Sequence, residues 1–354
     1  MKDSGEKKSG GCGRIFLGIL AILLALVLVV TACVGAYVNY LLSKMQRVEL
    51  SDQSVISPSE VEEILGTDPD LLPIDPSESL PDLEDVTFPT EASKPVEKPK
   101  HIINILVIGL DKAESGTRAR SDSMILVTVN TKSKAVTLTS FMRDSYVQIP
   151  GYKANKLNHA YQYGGMKLLN ETLKVNFGVE VDGNLEINYE QFVEIIDMLG
   201  GVEITLTAKE AKFMRESKKW EDIQEGKNRL TGIQALSYAR LRHIDSDYQR
   251  TERQRTVIMA LVEAYKNLPV DQMLSLLEQL MSRVSTNMTD AQMWEYGLRV
   301  APILAGARYT SQRLPVDGTF SQGIVQVRPG LKAWFQYNID FETNRELMRE
   351  IFEE

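Results

Sequence analysis

Arginine stays charged across the physiological pH range, and its planar fork matches phosphate oxygens two at a time. In this sequence arginines and aspartates gather where chain elements end. Asp111 follows one apolar run, Arg118, Arg120 and Asp122 precede a second, and Arg143 and Asp144 close a third. Arg240 and Arg242 stand at the end of a helical stretch, and Asp247, Arg250 and Gln254 open the next. Residues two apart share a face only in extended chain, so Arg240 and Arg242 converge if the helix gives way near Ala239. The same holds for Arg120 and Asp122. Asp247, Arg250 and Gln254 fall on one helical face, at an N-terminus whose free amides and dipole favour an anion. Such forks with two or three carboxylates suit a polyphosphate bridged by Mg²⁺ (or Mn²⁺), the metal taking Asp111 and Asp122. Phosphoryl transfer needs mainly positioning and charge neutralisation, which these residues supply. Each also has a plain structural reading: Arg240 and Arg242 as surface arginines, Asp247 as a helix-start acid, Asp144 as a salt-bridge partner of Arg143. There is no Walker loop, kinase signature or G-x-S-x-G elbow.

The elements that must position these groups read as α/β. INILVIGL (103–110) is a short apolar run of the kind a buried strand shows. SMILVTVN (123–130), the turn TKSK and AVTLTSF (135–141) form a predicted hairpin. Helix is expected from about 158 to 176, then a short strand at LEIN (185–188). A helix over 189–199 stops at Gly200-Gly201, and VEITLT (202–207) returns as strand. Further helices are expected over 231–240, 247–268, 271–284, 289–304 and the C-terminal tail, with a strand at RLPVD (313–317). Strands alternating with helices predict a layered α/β/α sandwich, and the hairpin makes its central sheet mixed.

From Ile15 to Ser43 no charged residue occurs, long enough to span a bilayer with some tilt. Lys2, Lys7, Lys8 and Arg14 precede it, so the positive-inside rule puts residues 1–14 in the cytoplasm and everything beyond 43 outside the cell membrane. Residues 44–100 carry eight of the thirteen prolines, and residues 51–100 hold 13 acids against Lys94, Lys98 and Lys100. That composition predicts a disordered, semi-extended acidic linker. The folded domain is expected over 101–354. A net charge of −8 argues against a nucleic-acid partner. The two cysteines, Cys12 and Cys33, lie in or beside the apolar run, and the three histidines lack metal spacing.

At these residues the sequence resembles the LytR-CpsA-Psr family of cell-wall enzymes. The resemblance is carried by NILVIGLD (104–111), RSDSMILVTVN (120–130), SFMRDSYVQIPGY (140–152), KLNHAYQYGG (156–165), DMLGGVEI (197–204) and ALSYARLRHIDSDYQRTERQR (235–255). These six motifs keep the family's order and cover 104–255. The resemblance implies transfer of a phosphate-linked glycopolymer, of teichoic acid or capsule type, from a polyprenyl pyrophosphate donor to a peptidoglycan acceptor. It implies that Asp111 and Asp122 position Mg²⁺ and that Arg120, Arg143, Arg240 and Arg242 bind the pyrophosphate. Arg250 and Gln254 would complete the pocket, Lys156 is a weaker carry-over, and Asp247 would support the pocket or help activate the acceptor. Arg118 falls in a variable loop. Ser123 and Met142 stand where the family more often has threonine and proline, and neither change removes a charge. The family also implies a long apolar pocket for the polyprenyl tail, for which the helices of 158–199 and 253–305 are the expected walls. Competing readings are a polyprenyl-pyrophosphate hydrolase, a non-catalytic wall-polymer binder and a transcription regulator, the last disfavoured by the outward topology.

Overall fold

The computed structural model describes residues 32–51, 53–66, 70–75, 78–81, 83, 86–89, 96–111, 118–241, 247–304 and 306–354. The chain divides into two units, Met1–Met45 and Gln46–Glu354. In the first, residues 32–43 are helical. Most of the expected span 15–43 lies outside the described residues, and no described helix is long and apolar enough to cross a membrane.

In the second unit three strands, β1 (Ile102–Leu110), β2 (Ser121–Asn130) and β3 (Ala135–Phe141), form an antiparallel meander. Their residues are almost all buried or half-buried, as expected for a sheet covered on both faces. The chain then forms α1 (Leu157–Phe177), β4 (Gly183–Asn188) and α2 (Tyr189–Met198). It continues through β5 (Val202–Leu206), α3 (Ala208–Lys218), β6 (Gly226–Leu230) and α4 (Gly232–Ala239). After these come α5 (Asp247–Lys266), α6 (Val270–Met281), α7 (Asp290–Leu304), β7 (Arg308–Leu314), β8 (Ser321–Arg328), β9 (Leu331–Tyr337) and α8 (Phe341–Glu353). The central sheet is mixed: β4 lies parallel to β1, and β7 lies parallel to β3 at the far edge.

Apolar side chains alternate between the two faces of the sheet. Leu106, Ile108, Met124 and Leu126 pack with Leu157, Leu169, Leu173, Met348 and Phe352 of α1 and α8. Ile103, Val129 and Val136 pack on the other face with Tyr296, Val300 and Ile303 of α7. A second cluster joins α2, β5, α3, β6, α4 and Val257 of α5.

The predicted boundaries hold closely for β1, β3, α1, α2 and α7. β2 starts two residues earlier than expected, which places Asp122 in the strand and not in the loop before it. The strand expected over 313–317 is β7, which ends at Leu314, before Pro315. α1 is broken at Gly164 and Gly165; Gly165 has a φ of 64° and ψ of −153°, outside any helix. Among the labelled elements, α3, β6, β8 and β9 were not expected. β5 pairs with β6 in a ribbon of its own.

The disordered linker expected over 44–100 is corrected for its described parts from Gln46 onward, which form part of the folded unit. Gln46–Arg47 pairs in parallel with Ser285–Thr286, Pro58–Gly66 is helical, and Leu72–Pro73 pairs with β9. The cause is apolar residues dispersed among the acids. Val48, Leu50, Ile56 and Phe88 pack on the main core, and Leu83 is buried against Val325 and Phe335. Burying such side chains offsets the chain entropy that acid and proline composition alone would leave unopposed.

Candidate functional site

Asp111 follows β1 and Arg120 precedes β2, and the two are held together at the paired ends of these strands, the Asp111 N–H donating to the Arg120 carbonyl at 3.1 Å. Arg143 follows β3 after Met142, whose N–H is held by the Leu314 carbonyl at 2.9 Å. Tyr189 opens α2 just after β4, fixed by a capping box in which Asn188 and Gln191 satisfy each other's backbone amides. Arg240 caps the end of α4 with φ near −104°, where the helix gives way as the sequence predicts. Behind it, Arg253 of α5 donates to the Leu241 carbonyl at 3.0 Å and pairs with buried Glu210 at 2.7 Å. This clamp fixes the chain immediately after Arg240.

Asp111, Arg120, Asp122, Arg143, Arg240, Arg250 and Gln254 line one cavity of about 790 Å³. At this charged end Arg143 pairs with Asp122 at 2.7 Å and with Asp144 at 3.2 Å. Lys156 reaches Asp144 at 3.0 Å and Asp70 at 3.6 Å, and Arg120 reaches Asp70 at 3.1 Å. Gln254 is held by the Ser123 hydroxyl at 3.1 Å. Burial pushes the Asp144 carboxyl up, but Arg143, Lys156 and Arg250 outweigh it, so the net shift is down. Asp144 is therefore a charged brace between two cations.

The cavity continues away from these charges as an apolar channel. Val107, Ile125 and Ile187 of the sheet form its floor, and Phe192, Phe213, Trp220, Leu236, Ile258 and Leu261 form its walls. One enclosure thus joins a phosphate-sized cluster of charge to a lipid-like lining.

Asp111 and Asp122 both act on the Tyr189 hydroxyl. Burial first, then the charges of Asp122 and Asp111, push this phenol up, and its oxygen lies 3.5 Å from Asp122 Oδ2. Two carboxylates meeting at one point suit a hard divalent cation that takes its remaining oxygens from phosphate and water. Among the described residues no group of three or more acidic, histidine or cysteine ligands occurs.

Of the residues singled out in the sequence, Lys156 lies behind the cavity wall as an ion-pair partner. Arg118 donates to the carbonyls of Gln162 and Ser54 and does not line the cavity. Arg242 and the side chain of Asp247 lie outside the described residues. Helices α2 and α5 line the channel as expected, through Phe192 and through Ile258 and Leu261, but α1, α6 and α7 do not; α1 and α7 pack on the sheet. α3 and the residues after it take that place. Sequence reasoning missed Asp70 and Tyr189. Tyr189 had a signal, since it sits between a strand and a capped helix start, whereas Asp70 is one acid among thirteen in its segment.

The family model of the LytR_cpsA_psr family matches residues 81–333. The chain belongs to that family. It is 36% identical over 194 residues to the polyisoprenyl-teichoic acid–peptidoglycan teichoic acid transferase TagU of Enterococcus faecalis, covering 53% of this chain and 61% of that one. It is 34% identical over 175 residues to the transferase TagT of Bacillus subtilis, covering 48% and 54%. The match thus spans little more than half the length of these family members. A solved structure of TagT bound to LIIa-WTA superposes with a TM-score of 0.57 at 25% identity, covering 77% of this chain and 98% of that chain.

Proposed function

We propose that this protein is a phosphotransferase that moves an anionic glycopolymer from a polyprenyl pyrophosphate carrier onto peptidoglycan through a phosphodiester bond. The observation that carries the reading is one cavity lined at one end by arginines and carboxylates and elsewhere by apolar side chains. The family members named above act on teichoic acid and peptidoglycan, and the same substrate class fits this lining.

In the reaction an acceptor hydroxyl attacks the phosphorus that carries the glycan. A new P–O bond forms, the bond to the bridging oxygen breaks, and polyprenyl phosphate leaves with the electron pair. Arg120, Arg143 and Arg240 neutralise the charge spread over the non-bridging oxygens, as positioned forks do. Gln254 and Arg250 hold the far side of the pyrophosphate. We assign Asp247 to support this pocket or to take the acceptor's proton. Bound at Asp111 and Asp122, Mg²⁺ or Mn²⁺ would supply further charge neutralisation on the pyrophosphate. We further read the domain as an α/β/α sandwich held at the outer face of the cell membrane by the single helix of 15–43, its N-terminus cytoplasmic.

The test is to incubate the full chain with a short polyprenyl-pyrophosphate-linked glycan, Mg²⁺ and peptidoglycan oligomers, followed by mass spectrometry. A phosphodiester-linked adduct, lost in Arg143→Ala and Asp111→Ala, is expected. Release of polyprenyl phosphate with no adduct would replace the transferase with a hydrolase.

A further inference from the structure

The hairpin of β8 and β9 has two unlike faces. Val325, Ala333 and Phe335 turn inward and pack with Leu83. Cross-strand partners share a face and successive residues alternate, so the other face carries Gln322 opposite Gln336, Ile324 opposite Trp334 and Gln326 opposite Lys332. Ile324 is 43% exposed and Trp334 47%, which leaves an indole and its apolar neighbour in water on a rigid ribbon. At one end of this face Lys332 pairs with Glu78, and at the other Arg313 pairs with Asp317. Between these two ion pairs the face presents one ring, one aliphatic side chain and side-chain amides.

Two bonded routes join this face to the charged end of the cavity. The Gln336 N–H donates to the Asp144 carbonyl at 3.0 Å, and the Ser145 hydroxyl donates to the Gln336 side chain at 3.2 Å, directly after Arg143. The Tyr248 hydroxyl donates to Gln322 Oε1 at 2.8 Å, and the Tyr248 ring lies 3.9 Å from the Arg313 guanidinium. Tyr248 stands in the first turn of α5, two residues before Arg250, which lines the cavity. Trp334 and Ile324 are each two residues along their strands from Gln336 and Gln322, about 7 Å at 3.4 Å per residue. The exposed pair therefore starts one strand repeat from the segments that hold Arg143 and Arg250.

We propose that this face is a saccharide subsite that holds the glycan strand of the peptidoglycan acceptor while one of its hydroxyls enters the charged end of the cavity. A sugar ring offers an apolar C–H face and a rim of hydroxyls. Trp334 and Ile324 meet the first, and the amides of Gln322 and Gln326 meet the second. A chain of phosphates would call for unpaired cations, whereas Lys332 and Arg313 are each already paired with an acid. The face therefore selects the acceptor's sugars over the phosphate-rich chain of the donor. Two partly exposed apolar side chains also fall far short of the roughly 800 Å² per partner that a stable protein interface buries. The inference deepens the transferase reading and rests on it for the identity of the acceptor. Saccharide binding itself requires neither donor nor turnover.

The test titrates the full chain with a GlcNAc–MurNAc tetrasaccharide free of stem peptides, reading binding by saturation-transfer NMR on the sugar. Steady-state kinetics with peptidoglycan oligomers and the lipid-linked donor follow. Trp334→Ala, a change at an exposed position, should abolish the saturation transfer and raise the KM for peptidoglycan about tenfold. Its kcat, donor KM and melting temperature should match the parent. Trp334→Tyr keeps a ring and should restore most of the lost affinity. A parent that does not bind the tetrasaccharide, or Trp334→Ala that binds and turns over like the parent, would overturn the proposal. A rise confined to the donor KM would also overturn it, by giving the face to the donor's glycan. A chain that binds the tetrasaccharide through Trp334 but forms no peptidoglycan adduct would leave the subsite standing and remove the transferase, so the two failures are separable.

Discussion

Tyr189 touches both kinds of charge in the site: its hydroxyl faces Asp111 and Asp122, and its ring lies 4.4 Å under the Arg240 guanidinium. Tyr189→Phe keeps the stacking and removes one hydrogen bond to charged oxygen. We expect kcat/KM to drop about tenfold at unchanged melting temperature, the equivalent of ~1.4 kcal/mol. Asp70 brings a negative charge of the chain's own to Arg120 and Lys156, and its side chain is 32% exposed. An anion entering the site competes with it. Asp70→Asn should tighten inorganic pyrophosphate binding about fivefold by calorimetry, a value discounted for solvent screening. Asp144 has a folded pKa below its ordinary 3.8. Its stabilisation is complete above that value and is lost as pH falls through the lower folded value. Asp144→Asn should therefore be far less stable than the parent in urea at neutral pH, with the gap narrowing below about pH 4.

At the scale of elements, Arg253 links α5 to the end of α4 and to Glu210 on α3. Both charged partners are buried, so Arg253→Ala leaves a carboxylate without its cation and should cost about 3–5 kcal/mol in chemical denaturation. The elements carrying the charges of the candidate site were legible because their signals are local. β1 is a mostly apolar run, β3 closes a hairpin around the turn TKSK, α2 ends at a double glycine, and α4 ends at Ala239, where the sequence allowed a break before Arg240. α3 was not legible: its sequence AKEAKFMRESK has a low apolar content, and only Ala211 and Met214 are buried along with Glu210. Its place is set by the Arg253–Glu210 pair, a partnership 43 residues apart that no window of sequence displays. The hairpin of β8 and β9 was equally hidden, because alternate residues such as Ile324 and Trp334 point outward.

Over the whole molecule the mixed sheet and its charged strand ends followed from the sequence, while the course of residues 46–100 did not. Composition reports an average, and an acidic average conceals the few side chains that fasten the segment down. Leu83 beside Phe335 and Val96 against Gly178 are such points. The short strand Gln46–Arg47 lies outermost in the sheet, covering Ser285–Thr286. Cutting the chain before residue 101 strips that cover and leaves backbone amides and carbonyls in a row with nothing to bond. A strand edge of that kind templates any extended chain that meets it, another copy included. The trimmed protein should melt at lower temperature and scatter light at concentrations where the chain from residue 46 onward stays monodisperse. Gln46–Arg47 thus fills the place on the sheet edge where a strand of another copy would add.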